Sequence, residues 1–228
     1  MGEIGQGLKK VLLPQFECVG VDKDSDIKGL GCEFLNICIP YSDKFVEIVN
    51  DYIKKFKPDL TIVHSTVAVG TTKKLNGNVV HSPVMAKHPN IELGLRNYKK
   101  FIGYNNKEDQ RLVMNYLGAC FRICLVEDSN ATELMKILSL TRYGIYLYVA
   151  DIMNKACEKW EVDYEDVVKL WEEEYNAGLK KLEPNHLRPI YNPPNGKIGG
   201  HCVLPVMKMF NEQFTTGIVT KVLGKYHA

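Results

Sequence analysis

The chain has 228 residues, 45% of them apolar and 25% charged, and these values exclude a disordered or fibrous protein. A net charge of +2 without a basic stripe argues against a nucleic-acid partner. No apolar run approaches the roughly 18 residues that a membrane span needs, and we recognise no signal peptide. Seven cysteines without paired C-x-x-C spacing suit reduced thiols. We therefore expect a soluble cytoplasmic protein with no membrane or nucleic-acid partner.

The first half of the chain alternates short β-branched runs with helical stretches, which predicts an α/β domain over residues 1–127. Most of the runs are continuously apolar, as expected for a mostly parallel sheet with helices on both faces. The predicted strands are residues 17–21, 34–39, 60–64, 79–81, 100–104 and 122–126, and the predicted helices are 5–13, 43–56 and 107–120.

The periodicity changes after residue 127 and predicts a smaller helical domain over residues 128–228. Residues 131–160 predict one long helix, which is followed by a second helix, a Pro/Asn/Gly-rich loop at 184–200 and a helical tail. The stripe predicted on the long helix is Leu134, Leu138, Ile145, Val149, Ile152 and Ala156. Because apolar residues also occur elsewhere around this helix, we expect a homodimer formed through residues 131–160.

Glycines at the start of the chain form part of a dinucleotide-binding pattern. Gly2 and Gly5 match the second and third glycines of G-x-G-x-x-G, where the main chain approaches a pyrophosphate at a helix N-terminus. Asp22 has the position of the carboxylate that binds the ribose hydroxyls and repels the 2′-phosphate of NADP. The first glycine and the strand before it are missing, so a helix start with a surface aspartate is the alternative. The pattern predicts an NAD site that also includes Glu3, Ile4 and Lys23.

Three further segments follow in a characteristic order. Residues 34–42 end in Pro40-Tyr41-Ser42, residues 64–72 contain Ser-Thr-Val and Gly-Thr-Thr, and residues 191–202 end in Gly-Gly-His-Cys. The ordered set resembles the UDP-glucose and GDP-mannose (nucleotide-sugar) dehydrogenase family over nearly the whole chain. The resemblance implies a Rossmann-like NAD domain, here without its first strand, and a helical domain, without the C-terminal domain that binds the nucleotide half of the substrate.

The resemblance also implies an activity and a set of site residues. In this family the primary alcohol of a sugar is oxidised to a carboxylate in two hydride transfers, each to its own NAD molecule, and a cysteine forms the thiohemiacetal and thioester. Cys202 matches that cysteine, Lys136 matches a helix lysine that stabilises oxyanions or relays protons, and Thr66 would hold cofactor or water. The nicotinamide side is expected at Pro40, Tyr41, Ser42, Ser65, Thr66 and Val67, and the substrate at Arg188, Tyr191, Gly199, Gly200 and His201.

Several positions depart from the family pattern. Val84 stands where the family has a glutamate, Leu140 where it has an asparagine, and the acidic residue expected soon after Cys202 is absent. Because hydrolysis of a thioester needs a general base, two alternatives stay open. One is a non-catalytic NAD- or nucleotide-binding relative of these enzymes. The other is a small hydroxy-acid dehydrogenase that performs one oxidation without a covalent step.

Each candidate side chain could also have a purely structural role. Cysteines are commonly small buried residues, and a helix lysine or a loop arginine is commonly solvated. His64 and His81 end neighbouring strands and either line the cofactor cleft or are hydrogen-bonded core groups. Since no pair of histidines or cysteines shows the spacing of zinc ligands, we expect no metal.

Overall fold

The structure is a computed structural model that describes residues 1–22, 25, 31–198 and 202–226. It divides into two compact units, Met1–Ile137 and Leu138–Ala228. The boundary predicted at residue 127 coincides with the end of a strand, whereas the first unit extends into the helix that follows. The predicted site residues Lys23, Gly199, Gly200 and His201 lie outside the described residues.

The first unit contains a five-stranded sheet with the order β1-β2-β3-β4-β5. Its strands are β1 Phe34–Ile37, β2 Leu60–Val63, β3 Val79–His81, β4 Lys100–Tyr104 and β5 Ile123–Glu127. Its helices are α1 Glu3–Leu12, α2 Phe45–Phe56, α3 Ile91–Asn97 and α4 Lys107–Leu117. All pairings are parallel except that of β3 with β4, which meet through the single pair His81↔Gly103. The predicted α/β class with a mostly parallel sheet is confirmed.

Both faces of this sheet are covered, which explains why its central strand is apolar throughout. Every residue of β2 is buried. Leu60 and Ile62 join a core cluster with residues of α1, α3 and α4, whereas Val63 joins a second cluster with Phe45 and Val49 of α2. A strand between two helical layers therefore loses the alternation that a one-sided sheet would show.

The strand predicted at residues 17–21 is wrong, because these residues have no regular secondary structure. A strand needs a neighbour for its main-chain groups, and β1 at the sheet edge pairs only with β2 in the described chain. Val19 is instead 65% exposed. Helix α3 was not predicted; its seven residues are too few for a clear periodicity.

The long helix α5 spans Ser129–Lys159, close to its predicted bounds. Its buried positions differ from the predicted stripe and are Ser129, Thr132, Glu133, Ile137, Thr141, Gly144, Leu147, Ala150 and Cys157. Of the predicted stripe, Leu134, Leu138, Val149, Ile152 and Ala156 are exposed. The buried face of α5 is thus partly polar, and an apolar face of the same helix is open to solvent.

The second unit continues α5 with helical segments. They are a π-helical stretch at Glu165–Leu170, α6 Trp171–Leu182, a 3-10 turn at Pro184–His186, α7 Val203–Gln213 and α8 Gly217–Tyr226. Its core joins Leu147 to Met207 and Val222. Gly144 lies so close to α7 that a Cβ atom there would come 2.3 Å from Met207 Sδ. None of the helices in the described ranges combines the length and hydropathy that a membrane span requires.

Candidate active site

The loops that follow β1 and β2 meet at the carboxyl edge of the sheet. The Ser65 hydroxyl donates to the Ile39 carbonyl at 2.6 Å, and the His64 amide donates to the Ile37 carbonyl at 2.8 Å. The structure therefore brings the residues predicted for the nicotinamide side next to one another. Among them Pro40, Tyr41 and Ser42 are exposed, Thr66 is half-buried, and Ser65 and Val67 are buried. In open α/β sheets this edge is where ligands bind.

The first two turns of α5 form hydrogen bonds with the end of β3 and with the loop that follows β4. The Ser129 hydroxyl donates to Asn105 Oδ1 at 3.1 Å, in the loop after β4. Thr132 Oγ1 lies 2.9 Å from Nδ1 of His81, the last residue of β3. This close approach requires a glycine on β4, because a Cβ atom at Gly103 would come 2.3 Å from Thr132 Oγ1 and 2.7 Å from the Ser129 Cα.

Glu133, one residue further along α5, bonds to the loop that follows Ser65 and Thr66. Its side chain is fully buried and accepts hydrogen bonds from the Gly70 amide at 2.6 Å, the Thr72 amide at 2.8 Å and the Thr72 hydroxyl at 2.5 Å. Burial raises the pKa of this carboxyl group, and the three hydrogen bonds act against that rise.

Lys136, the predicted helix lysine, is half-buried and donates to the Val84 carbonyl at 2.9 Å. Val84, which stands where the family has a glutamate, directs its side chain into the core cluster of α1, α3 and α4. Lys136 is thus held by the main-chain carbonyl of Val84, whereas the Val84 side chain packs in the core and makes no polar contact with Lys136.

Two fully buried histidines complete the polar interior below these loops. His64 Nδ1 lies 3.0 Å from the Ser82 carbonyl, and His81 Nε2 lies 3.1 Å from the Ser65 carbonyl. A carbonyl only accepts, so each of these ring nitrogens carries a proton. Burial lowers the pKa of His81 to about 4 and that of His64 well below its usual value, which favours the neutral form of both rings near pH 7. Of the two sequence readings, that of hydrogen-bonded core groups is the one observed.

Lys100 is a buried cation that the sequence did not single out. It is 4% exposed, and its ammonium group donates to the Ser82 carbonyl at 3.3 Å and lies 5.4 Å from the Phe121 ring centroid. Burial lowers the pKa of Lys100 to about 8, and the nearby Cys38 thiol acts in the opposite direction. One carbonyl and one ring are weak compensation for the lost hydration of an ammonium group.

The predicted adenosine side lies at the start of α1. Gly2 is the N-cap residue, no side chain of the described residues caps the first N–H groups of the helix, and a Cβ atom at Gly2 would meet open space. Asp22 is exposed and pairs with the Met1 amino group. The Met1 side chain lies against Gly5, and the Glu3 carboxylate pairs with His88. Ile4 packs against the core.

The predicted residues of the second unit take separate positions within it. Cys202 is half-buried at the N-cap of α7. The Arg188 guanidinium stacks 3.5 Å from the Tyr175 ring centroid and bonds to Glu172 at 3.3 Å, so its charge is already paired. Tyr191 packs its ring against Tyr143 and accepts a hydrogen bond from Tyr164 at its carbonyl. No group of three or more metal-binding side chains occurs among the residues that the structure describes.

Comparison with known proteins identifies similar proteins of two kinds. No family model matches the chain. A UDP-N-acetyl-D-mannosamine dehydrogenase from Methanococcus maripaludis is 27% identical over 152 residues, which are 64% of this chain and 33% of that protein. The UDP-N-acetyl-mannosamine dehydrogenase Cap5O from Staphylococcus aureus superposes with a TM-score of 0.64 at 19% identity, over 85% of this chain and 49% of that chain.

The second kind of similar protein is shorter. A conserved protein of unknown function, described as structurally similar to 3-hydroxyacid dehydrogenases, superposes with a TM-score of 0.65 at 13% identity, over 98% of this chain and 92% of that one. This chain spans about half the length of the solved nucleotide-sugar dehydrogenases and a third of the curated relative. The resemblance to nucleotide-sugar dehydrogenases inferred from the ordered motifs is confirmed over the part of this chain that these comparisons cover. The fold is that of the Rossmann-like dehydrogenases.

Proposed function

We propose that this chain is an NAD-dependent oxidoreductase of the nucleotide-sugar dehydrogenase type, which oxidises a CH–OH group of a sugar nucleotide. The observation that carries the proposal is the Ser65–Ile39 hydrogen bond, which joins the two loops expected on the nicotinamide side. Both loops lie at the carboxyl edge of a mostly parallel sheet, and α5 brings Lys136 to the Val84 carbonyl in the same unit.

The start of α1 fits the phosphate and adenosine half of NAD. In the described residues no side chain caps its first N–H groups, and space is open beside Gly2. A bound phosphate could therefore fit beside Gly2 and accept hydrogen bonds from these N–H groups. The ribose hydroxyls would replace the Met1 amino group at Asp22. Because Asp22 is exposed, its ion pair with Met1 contributes only about 0–1 kcal/mol, and its replacement costs little. The Glu3 carboxylate opposes an anion there, so we assign only its main chain to the site.

We expect Asp22→Asn to weaken NADH binding about tenfold, since hydrogen bonds to a charged acceptor contribute roughly 1.5–3 kcal/mol. The variant should also lose the preference for NADH over NADPH, because the repelling charge is gone. Fluorescence titration with each cofactor measures both effects, and Asp51→Asn on the exposed side of α2 is the matched control. Absence of NADH binding to the unaltered chain contradicts the proposed function.

For the chemistry we assign Cys202 as the nucleophile and Lys136 as the residue that stabilises the developing oxyanion. Bound NAD supplies the hydride acceptor. The first oxidation converts the alcohol to an aldehyde, and the Cys202 sulfur then adds to its carbonyl carbon. Transfer of a second hydride from this thiohemiacetal to a second NAD molecule, which replaces the NADH formed first, would give a thioester, which water cleaves to the acid and the free thiol. The position of Cys202 at the N-terminus of α7 supports this role, because free main-chain N–H groups there stabilise an anion.

A second candidate, a non-catalytic nucleotide-binding relative, is favoured by one observation. The side chain at position 84, where the family has a carboxylate, is buried in the core. Cys202→Ala separates the two candidates: an enzyme should lose at least about 10³-fold in turnover with unchanged NADH affinity. Steady-state kinetics with UDP-sugars and NAD measures the loss. A hydroxy-acid dehydrogenase, the third candidate, would keep its turnover and yield one NADH and an oxo acid.

We also propose a cytoplasmic homodimer that forms through the exposed apolar face of α5. The side chains concerned are Leu138, Val149, Ile152 and Met153 of α5, with Trp160, Val167 and Trp171 beyond it, all at least 39% exposed. Large exposed apolar patches mark interfaces, and a stable one buries about 800 Å² on each partner. Sedimentation equilibrium measures the association. All seven cysteines are unpaired, which supports a reducing compartment.

A further inference from the structure

Glu133 is a buried carboxylate whose hydrogen bonds all go to one loop. Both of its oxygens are used: one accepts from the Gly70 amide, and the other accepts from the amide and hydroxyl of Thr72. A buried charge is retained only where its hydrogen bonds offset the loss of hydration. If the loop moved away, the buried Glu133 carboxylate would lose its hydrogen-bond donors, and the amides of Gly70 and Thr72 would lose their acceptor.

Thr66 lies between this contact and a second one. On its N-terminal side, the hydroxyl and carbonyl of Ser65 bond to the Ile39 carbonyl and to His81. On its C-terminal side, Gly70 is bound by Glu133 and has a φ of +89°, a conformation that glycine adopts readily and other residues rarely adopt. Only residues 66–69 separate the two contacts. The main-chain position of Thr66 is therefore set from both ends.

Lys136 follows Glu133 by three residues on α5, so the two side chains project from the same side of the helix. Glu133 bonds to the loop after β2, and Lys136 bonds to the Val84 carbonyl after β3. We propose that Glu133 is a positioning residue, which holds the Thr66 loop at a fixed place relative to Lys136 and so preforms the nicotinamide side of the site. This inference rests on the proposed function.

The test compares NADH with ADP-ribose, which lacks the nicotinamide. In Glu133→Gln an NH₂ group replaces one oxygen and faces an N–H or O–H donor, so at least one of the three bonds is lost. We expect the dissociation constant for NADH to rise about tenfold and that for ADP-ribose to change by less than about twofold. A general loss of fold would weaken both ligands equally, because ADP-ribose is expected at α1 and Asp22.

Two further variants make the result specific. Thr72→Val removes one of the three bonds and leaves the carboxylate in place, so we expect a smaller loss of NADH affinity, about threefold. If Glu133→Gln does not fold, the NADH and ADP-ribose affinities of Thr72→Val test the inference in its place. Glu47→Gln makes the same chemical change at an exposed position of α2 and should have no effect.

The outcomes separate this inference from the proposed function. Unchanged NADH affinity in both Glu133→Gln and Thr72→Val overturns the positioning role, as does an equal loss for NADH and ADP-ribose. An unaltered chain that binds neither ligand contradicts the proposed function itself, and the role of Glu133 fails with it. A selective loss of NADH affinity in the two variants supports the inference.

Discussion

Lowering the pH from 7 to 4 should cost about 3 kcal/mol of the free energy of unfolding through His81 alone, since each pKa unit corresponds to 1.36 kcal/mol. Burial lowers the pKa of His81 from 6.5 to about 4 in the folded chain. The unfolded chain therefore binds a proton on this residue first as the pH falls. The contribution is complete above pH 6.5 and is lost between about 6.5 and 4. His64, also fully buried, shifts in the same direction and adds to the loss.

Urea unfolding as a function of pH, compared between the unaltered chain and His81→Gln, isolates this contribution from the carboxyl groups. The variant should be less stable at pH 7, because it loses contacts of the ring with Thr132 and Ser65. Its stability should fall less steeply with acid, so the two curves approach one another towards pH 4. His186→Gln, at an exposed position, is the control. Parallel curves for His81→Gln and the unaltered chain would contradict a neutral buried ring.

Lys100→Met should raise the free energy of unfolding at pH 7 by about 2 kcal/mol. The shift in the pKa of Lys100 from 10.5 to about 8 corresponds to about 3 kcal/mol, and loss of the contacts with Ser82 and Phe121 offsets about 1 kcal/mol of that gain. Methionine fills the same space without a charge. The Ser82 carbonyl keeps a partner, because His64 Nδ1 also bonds to it.

The pH dependence of this gain has a definite sign. Below pH 8 the ammonium group is charged in both states, and its burial costs the folded chain most. Between about 8 and 10.5 the unfolded chain binds more protons, so the stability contributed by Lys100 rises with pH. The advantage of Lys100→Met should therefore shrink between pH 7 and 9.5. Cys38 and Tyr116 are present in both proteins, and loss of the Lys100 charge raises the already raised pKa of Cys38 further. An equal gain at both pH values would exclude a buried charge as its cause.

The sequence predicts a strand well where the residues of the strand are themselves apolar enough to be buried. It predicts a strand poorly where the strand depends on pairing with residues far away in the chain. The apolar run around Ile62 is long enough and apolar enough to identify β2 without any knowledge of its neighbours. The run around Val19 also contains β-branched residues, but a strand forms only if another strand accepts its main-chain groups. That condition depends on distant residues and leaves no mark in residues 17–21.

The candidate site was partly predictable for a related reason. Ser65 and Thr66 follow a clear strand in a recognisable order, so their place at the sheet edge could be foreseen. Glu133 reads as a solvated helix residue, because periodicity assigns buried faces to apolar side chains. A signal was nevertheless present: Ile137, Gly144 and Leu147 continue the stripe on which Glu133 lies. Lys100 gives no such signal, since one lysine at the start of an apolar strand is commonly exposed.

The single residue pair that joins β3 to β4 divides the sheet into a three-strand part and a two-strand part. Few main-chain bonds cross this line, and side chains supplement them: the Ser82 hydroxyl donates to the Phe101 carbonyl at 3.0 Å, and α5 bonds to His81 on one side and Asn105 on the other. Cohesion of the sheet across the line therefore depends on these side chains, together with the core cluster that contains Val80 of β3 and Ile102 of β4, more than on main-chain bonds. We expect a pulling force to part the sheet there before it separates the strands within either half.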